Sequence, residues 1–435
     1  MMPPAPACGY TRHRRRTADG LQAAPSTGKG PARCRHRVSA FVLPQRSTLD
    51  DPHPGDRMSL LRNLASAALA ATLSAFAPLS LAQQGISNDT ILLGHSGALS
   101  GPLSELNREY LSGATLFFDD LNARGGVHGR QVSLLTVDDE YDPQKSAVNV
   151  TRLIEEQQVF ALFGCFGTGP SQQAIPIATR ARVPFFAPYT GADMLREPLN
   201  PYVFHLRASY GQEIEAMIEH LTTLGVRSIA IVHHADPFGR AGLDVAMQAL
   251  ARRQLTPAVV APIASGGADA ADTAARIVAA NPAAVIMVTA GNSSPAFMRA
   301  LLATNARPML YGLSVISSRQ LIRELGEDAH GLVIAQVVPS PFRIDHAVVR
   351  EYRRLAERSQ QPFSYTALEG YIAAKTFTEG LRRAGRDLSR EKFTSALQGM
   401  GNWDVGGLRL GFGPRQHIAL DFVDLSVISR GNFNR

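Results

Sequence analysis

From residue 90 onward the chain repeats one unit: a short run of uninterrupted apolar residues, a turn, then a stretch with helical spacing. The runs at 90–96, 131–137, 159–163, 184–187, 228–233 and 284–289 carry almost no polar alternation. A sheet with one wet face alternates apolar and polar side chains, so strands this apolar are covered on both faces. Segments of 10–15 residues with apolar positions three or four apart separate them. This order demands crossover connections, and crossovers make parallel sheets flanked by helices. The expected fold class is therefore α/β, with two doubly wound parallel-sheet lobes. One series of units ends near residue 206 and a second starts at Arg207. No long Gly/Ser linker divides them, so multiple hinge crossings, in place of one tether, are expected to join the lobes.

Local signals support the pattern. In 105–123, Leu106, Tyr110, Gly113, Ala114, Phe117, Phe118 and Leu121 share one helical face, and Gly125-Gly126 stops the helix. Asp142 is placed to cap the next helix, with Pro143 at its first position. Further helices are expected at 210–224, 238–253, 269–280, 295–304, 345–360, 366–384 and 390–397. Extended segments are expected at 256–261, 309–310 and 331–338, with closing β structure at 408–410 and 417–428.

The formal net charge of the 435 residues is +7, but it is unevenly placed. Residues 1–57 hold ten Lys and Arg against four Asp and Glu, whereas 83–435 hold 33 of each sign. A neutral body excludes a broad basic surface, so no nucleic acid is expected as a partner. The basic prefix, with Arg12–Arg16 and Arg33–Arg37 runs, has no apolar period of either kind and is expected to be a mis-called N-terminal extension; a nucleic-acid-binding arm is the other reading. Met58 opens a different pattern. Arg62 supplies a short basic region, 64–77 an uncharged Ala/Leu-rich stretch, and Ser80-Leu81-Ala82 the small residues of a cleavage site. Residues 58–82 are thus expected to be a signal peptide, cut after Ala82. The apolar stretch is short for a bilayer span and no second one follows, so no integral membrane segment is expected in the mature chain. No Cys follows it to carry a lipid at that cleavage site.

In open parallel sheets ligands bind beyond the carboxyl ends of the strands. Three strand-end loops are rich in Gly, Ser and Thr: 96–102, 164–170 and 188–191. The middle one, Gly164-Cys165-Phe166-Gly167-Thr168-Gly169-Pro170, lies between a strand and a helix start. Its glycines let backbone N–H groups approach an anion, the first helical turn has unpaired donors, and the Thr168 hydroxyl adds another. Such a loop can receive a carboxylate without a cationic side chain; a tight turn chosen for packing is the alternative. Its glycines run in the wrong order for a dinucleotide loop, and no phosphate-binding G-x-x-x-x-G-K-[ST] occurs. Asp138-Asp139-Glu140-Tyr141-Asp142 reads as a strand end and helix cap, because a Ca²⁺ loop needs spaced ligands around a central Gly. His233 and His234 point to opposite faces of a strand, which suits packing and not a shared metal. Cys165 has no partner and no adjacent base. No nucleophile–base–orienter set is found, so catalytic residues, metal and cofactor are all expected to be none.

Four segments, taken in order, carry a resemblance: Gly94-His-Ser-Gly-Ala-Leu-Ser-Gly-Pro102, Asn122-Ala-Arg-Gly-Gly-Val-His-Gly-Arg130, Asp138-Asp139…Tyr141-Asp142-Pro143 and Tyr202-Val-Phe-His-Leu-Arg207. Together they resemble the leucine/isoleucine/valine-type (branched-chain amino acid) substrate-binding proteins of bacterial ABC importers, over 89–428. The resemblance implies a type I periplasmic-binding fold with three hinge crossings. It places lobe 1 at 88–206 plus 340–405 and lobe 2 at 207–339 plus 406–435. It also implies that the ligand's carboxylate meets Thr168 and Gly167, with Tyr189, Thr190 and Gly191 assisting. Where such proteins hold the ammonium with an acidic and an aromatic residue, this chain aligns Ser314 and Phe238. An unneutralised ammonium in a closed cleft is costly, which counts against an ordinary α-amino acid unless Glu105 or Asp236 compensates. Leu106, Phe166, Tyr210 and Phe238 are then expected to line a pocket for an apolar or aromatic acid. The function implied is an exported, periplasmic receptor that captures a small carboxylate or amino-acid ligand and passes it to a cognate ABC permease. A periplasmic sensor for a signalling partner and, less favoured, an enzyme are the alternatives.

Overall fold

The computed structural model describes residues 85–429 and 432–434. The expected extension (1–57) and signal peptide (58–82) lie outside the described residues.

The first sheet has the order β2-β1-β3-β4-β5, built from β1 (Thr90–Gly97), β2 (Gln131–Asp138), β3 (Ala161–Phe163), β4 (Phe185–Phe186) and β5 (Val203–Phe204), all parallel. The helices that alternate with them are α1 (Ser104–Ala123), α2 (Pro143–Glu155) and α3 (Thr168–Arg180). Asp142 caps α2 as its position suggests, its carboxylate accepting the Gln144 N–H at 2.7 Å and the Lys145 N–H at 3.0 Å. After β5 the chain crosses to α4 (Tyr210–Thr223), β6 (Ile229–His234), α5 (Pro237–Arg252), β7 (Val260–Ile263), α6 (Ala270–Ala280), β8 (Ala284–Val288), α7 (Ser293–Leu302), β9 (Met309–Gly312), α8 (Ser318–Leu325) and β10 (Val333–Gln336).

It returns through α9 (Ala347–Arg358), α10 (Tyr365–Ala384) and α11 (Arg390–Gln398). α10 packs on α1 so closely that a Cβ on Gly113 would lie 1.7 Å from the Ala367 carbonyl oxygen, and one on Gly370 would lie 2.0 Å from that of Tyr110. Only glycine fits there. Phe163, Phe186 and Phe377 meet with ring centroids 5.4–6.1 Å apart and fix these helices to the first sheet. Each such buried ring stabilises the fold by roughly 1.5–3 kcal/mol.

The hairpin β11 (Trp403–Asp404) and β12 (Arg409–Leu410) follows, and then β13 (Asp424–Ser429) and β14 (Asn432–Asn434). The second sheet has the order β14-β13-β10-β9-β8-β6-β7. It is parallel from β7 to β10, and antiparallel where β13 pairs with β10 and β14 with β13.

Three details differ from the sequence reading. The segment expected extended at 256–261 meets β6 from Ala258, whose N–H donates to the Ile229 carbonyl at 2.8 Å, and is a strand from Val260. Helix α8 escaped notice, being two turns long; the Ser317 side chain caps it by accepting the Gln320 N–H at 3.2 Å. The closing β structure expected at 417–428 is a strand only from Asp424. His205 N–H donates to the His417 carbonyl (2.7 Å) and Leu420 N–H to that of Leu206 (3.0 Å), so this stretch runs beside β5 and only 424 onward joins the second sheet. The chain accordingly passes between the sheets after β5, after β10 and before β13.

Candidate functional site

The carboxyl ends of β1, β3 and β4 open toward those of β6, β8 and β9. The two sets of loops touch: the Asn292 N–H donates to the Pro102 carbonyl at 3.3 Å. Between them the loops enclose an apolar pocket with a free volume of about 10 Å³, on the order of one water molecule, so a ligand enters only when the loops part.

One wall is the start of α3. Gly167, the residue before it, has φ 98° and sits against the Tyr141 ring, where a Cβ would come within 2.3 Å of a ring carbon. Both facts require glycine. No side chain caps α3. Thr168, its first residue, is 1% exposed, and its hydroxyl lies 2.7 Å from the hydroxyl of Thr190. Tyr141 packs its ring over Gly167 beside Thr168, and Tyr210 packs its ring on Gly191, where a Cβ would lie 2.6 Å from a ring carbon. Burial pushes both phenols above their ordinary range, so they stay protonated and able to donate. Backbone N–H groups, threonine hydroxyls and phenols thus converge without a cationic side chain, an arrangement suited to a carboxylate.

The rest of the cavity is hydrocarbon. Leu103 and Leu106 come from α1 and the turn before it, Phe166 from the loop after β3, and Phe238 from α5. Tyr189 stacks on Phe166 with centroids 5.2 Å apart and planes 10° from parallel. Tyr210 meets Phe238 edge to face at 5.4 Å. Thr168, Gly167, Tyr189, Tyr210, Phe238 and Leu106 therefore all line one cavity, as their positions in sequence suggested. Thr190 and Gly191 stand directly behind it, the Gly191 carbonyl accepting the Tyr210 N–H at 2.7 Å.

Ser314 does not join them. It belongs to a buried charge cluster beneath the cavity. Its hydroxyl accepts from the Arg207 guanidinium and donates to Glu213 at 2.9 Å, and its N–H donates to the other Glu213 oxygen at 2.8 Å. Arg207, 1% exposed, also lies 3.6 Å from Glu369 on α10 and stacks over the Tyr189 ring at 4.8 Å. Burial opposes the arginine's charge, but Glu369, Tyr189 and Glu213 outweigh it and hold Arg207 protonated. Burial raises the Glu213 carboxyl to about 7 against the pull of Arg207. Ser314, expected at the ligand, thus stands outside the cavity lining with both of its polar groups engaged.

The acids weighed as substitutes are engaged as well. Glu105 forms a bidentate pair with Arg323 on α8, at 2.5 and 2.6 Å. Asp236 caps α5 through the Gly239 N–H (2.9 Å) and faces His234 at 3.5 Å. His234 in turn bonds Ser293 at 2.6 Å, while His233 Nδ1 lies 2.8 Å from the His234 carbonyl, which is structural use of both. Cys165 is fully buried and its thiol is pushed up to about 12, which makes it inert packing. Among the described residues no group of three or more His, Cys, Asp or Glu is placed to hold a metal ion.

Sequence reasoning missed Tyr141 and the Arg207 cluster. Tyr141 had a signal: it lies in the loop after β2, at the same sheet edge as the loops that were singled out. Its backbone is left-handed (φ 65°), as is that of Glu140 (φ 53°), and the buried Asp139 holds it by accepting its N–H at 2.9 Å. Arg207, Glu213 and Glu369 carry no local signal, because their pairing exists only after the crossing after β5 is folded.

Comparison with known proteins agrees with this architecture. The family model described as "Periplasmic binding protein" matches residues 90–422. The Leu/Ile/Val-binding protein of Escherichia coli K12 is 23% identical over 329 residues, 73% of this chain and 87% of that protein. An amino acid binding protein of Pseudomonas aeruginosa is 21% identical over 155 residues, 41% of its length. Among solved structures, a possible leucine/isoleucine/valine-binding protein of Rhodopirellula baltica is 30% identical with a TM-score of 0.75, covering 80% of this chain and 96% of that one. A branched-chain amino acid transporter protein of Thermus thermophilus with bound valine (20%, TM-score 0.73, 80% and 96% covered) shares the fold. So does a fatty acid ABC transporter substrate-binding protein of Thermomonospora curvata (19%, TM-score 0.72, 81% and 92% covered). Sheet order, crossings and matched length lead to one conclusion: the chain belongs to the periplasmic binding protein family, with the type I fold.

Proposed function

We propose that the protein is an exported solute receptor that captures a small carboxylate in the cleft and delivers it to an ABC permease from the periplasm. The observation that carries this reading is the convergence of uncharged donors at the start of α3 inside a cavity that two sheets close from opposite sides. The first lobe contributes Thr168, Thr190 and Tyr189; the second contributes Tyr210 and Phe238. The crossings after β5, after β10 and before β13 form the hinge. A ligand touching both walls favours the closed arrangement by its contacts to the second wall, the usual physics of hinge closure. Similarity to amino-acid receptors supports the transport role, and no enzyme is needed to explain the site. Among the described residues no helix is long and apolar enough to cross a membrane.

The test is a thermal-shift screen of the purified protein against amino acids, aliphatic acids, aromatic acids and neutral analogues. A ligand at about 100 times its Kd stabilises by about 2.7 kcal/mol. Stabilisation confined to carboxylates, with the compound recovered unchanged, is expected. Conversion of the compound to a product, or stabilisation by neutral analogues alone, contradicts the reading.

A further inference from the structure

The cavity has polar chemistry at one end only, and that asymmetry defines its occupant. None of the described residues lining it is charged. The acids around it lie outside that lining and have other partners for at least one oxygen each. Glu213 holds Ser314 and Arg207, Glu369 faces Arg207, and Glu109 accepts the Ser317 hydroxyl at 3.0 Å. Glu105 pairs with Arg323, and Asp236, which is not part of the lining, gives one oxygen to the Gly239 N–H while its other oxygen lies 3.5 Å from His234 without a hydrogen bond. An ammonium brought into this space would leave water and gain no carboxylate in return, a heavy penalty in an apolar enclosure. A carboxylate alone loses nothing comparable, because threonine hydroxyls, phenols and backbone N–H groups stand ready to replace its water.

We propose that the ligand is a small apolar monocarboxylate without an ammonium group. Its carboxylate rests on Thr168, Thr190, Tyr141 and Tyr210, and its hydrocarbon lies among Leu106, Phe166 and Phe238. This rests on the receptor reading above and narrows its ligand class. Tyr141 thereby becomes a specificity residue. Its ring packs on Gly167 at the start of α3 and lines the cavity.

Matched pairs that differ only in the ammonium test this by isothermal titration of the purified full chain: 4-methylpentanoate against leucine, and 3-phenylpropanoate against phenylalanine. At least one ammonium-free acid is expected to bind about 100-fold or more tightly than its partner. Tyr141→Phe, which keeps the ring against Gly167, is expected to weaken that acid about tenfold. Binding of an amino acid as tight as its ammonium-free partner overturns the inference and leaves the receptor reading standing. If that binding vanishes in Asp236→Asn, Asp236 is the ammonium's partner and the inference is wrong. Absence of binding by all four acids also overturns it, and the receptor reading is then decided by the wider thermal-shift screen. An unchanged affinity in Tyr141→Phe removes Tyr141 from the site.

Discussion

The hydroxyls of Thr168 and Thr190 lie 2.7 Å apart although 22 residues separate them in the chain. One begins α3, the other follows β4, and both are 1% exposed. Two buried hydroxyls in contact at an uncapped helix start, facing an apolar cavity, make a site with donors to give and no anion of its own.

Thr168→Ala removes one of these donors together with a buried methyl group. Binding of the cognate acid is expected to weaken by roughly 1–2 kcal/mol, or about 5- to 30-fold in Kd. Titration calorimetry reads this directly. Equal affinity would place the carboxylate elsewhere.

Arg207→Met leaves Glu213 and Glu369 facing each other in a dry interior without their cation. Breaking one partner out of a buried charge cluster typically costs about 3–5 kcal/mol. A large fall in denaturation midpoint is expected in urea. A variant as stable as the parent would mean that the cluster is not charged as described.

Glu105→Ala breaks an exposed pair that joins α1 to α8, elements belonging to different sheets. Exposed pairs are worth about 0.2–1 kcal/mol, so stability is expected to stay within that margin. Because the pair bridges the cleft, ligand dissociation is expected to quicken by less than about fivefold, measured by stopped flow. A large loss of Tm with no kinetic change contradicts a closing role.

Asp139 is fully buried, and burial raises its carboxyl to about 6 against the hydrogen bonds from Ser96, Tyr141 and Ser146. Its folded value lies above the unfolded value near 3.8, so the native state binds the extra proton. The native state is therefore favoured at low pH and loses stability as pH rises from about 4 to about 6, by at most roughly 2–3 kcal/mol. Asp139→Asn is expected to flatten this part of the urea-stability profile. A profile with the same slope in the variant assigns the effect to other acids.

Much of the fold was legible because it rests on local rules. The apolar runs around Leu93, Phe163 and Ile231 could only be covered strands, and Asp142-Pro143 could only open a helix. The loop of Gly167 and Thr168 was legible for the same reason: glycine and threonine between strand and helix have few uses. The rest depends on distant pairs. Ser314 looked available because nothing in its neighbourhood in sequence shows that Arg207 and Glu213 claim it. Tyr141 looked like part of a turn because its orientation over α3 is set by left-handed backbone at 140 and 141. The path of 417–420 beside β5 depends on His205 and Leu206, two hundred residues earlier, which no local pattern reveals.

The central claim is that two lobes close on a carboxylate at the start of α3. Small-angle scattering of the purified protein, with and without a saturating acid identified by the screen, tests it most directly when repeated on Thr168→Ala. We expect the radius of gyration to fall when the acid is added, and the variant to need a higher acid concentration for the same change. An acid that binds tightly while the radius of gyration stays constant, or a variant that responds as the parent does, would contradict it.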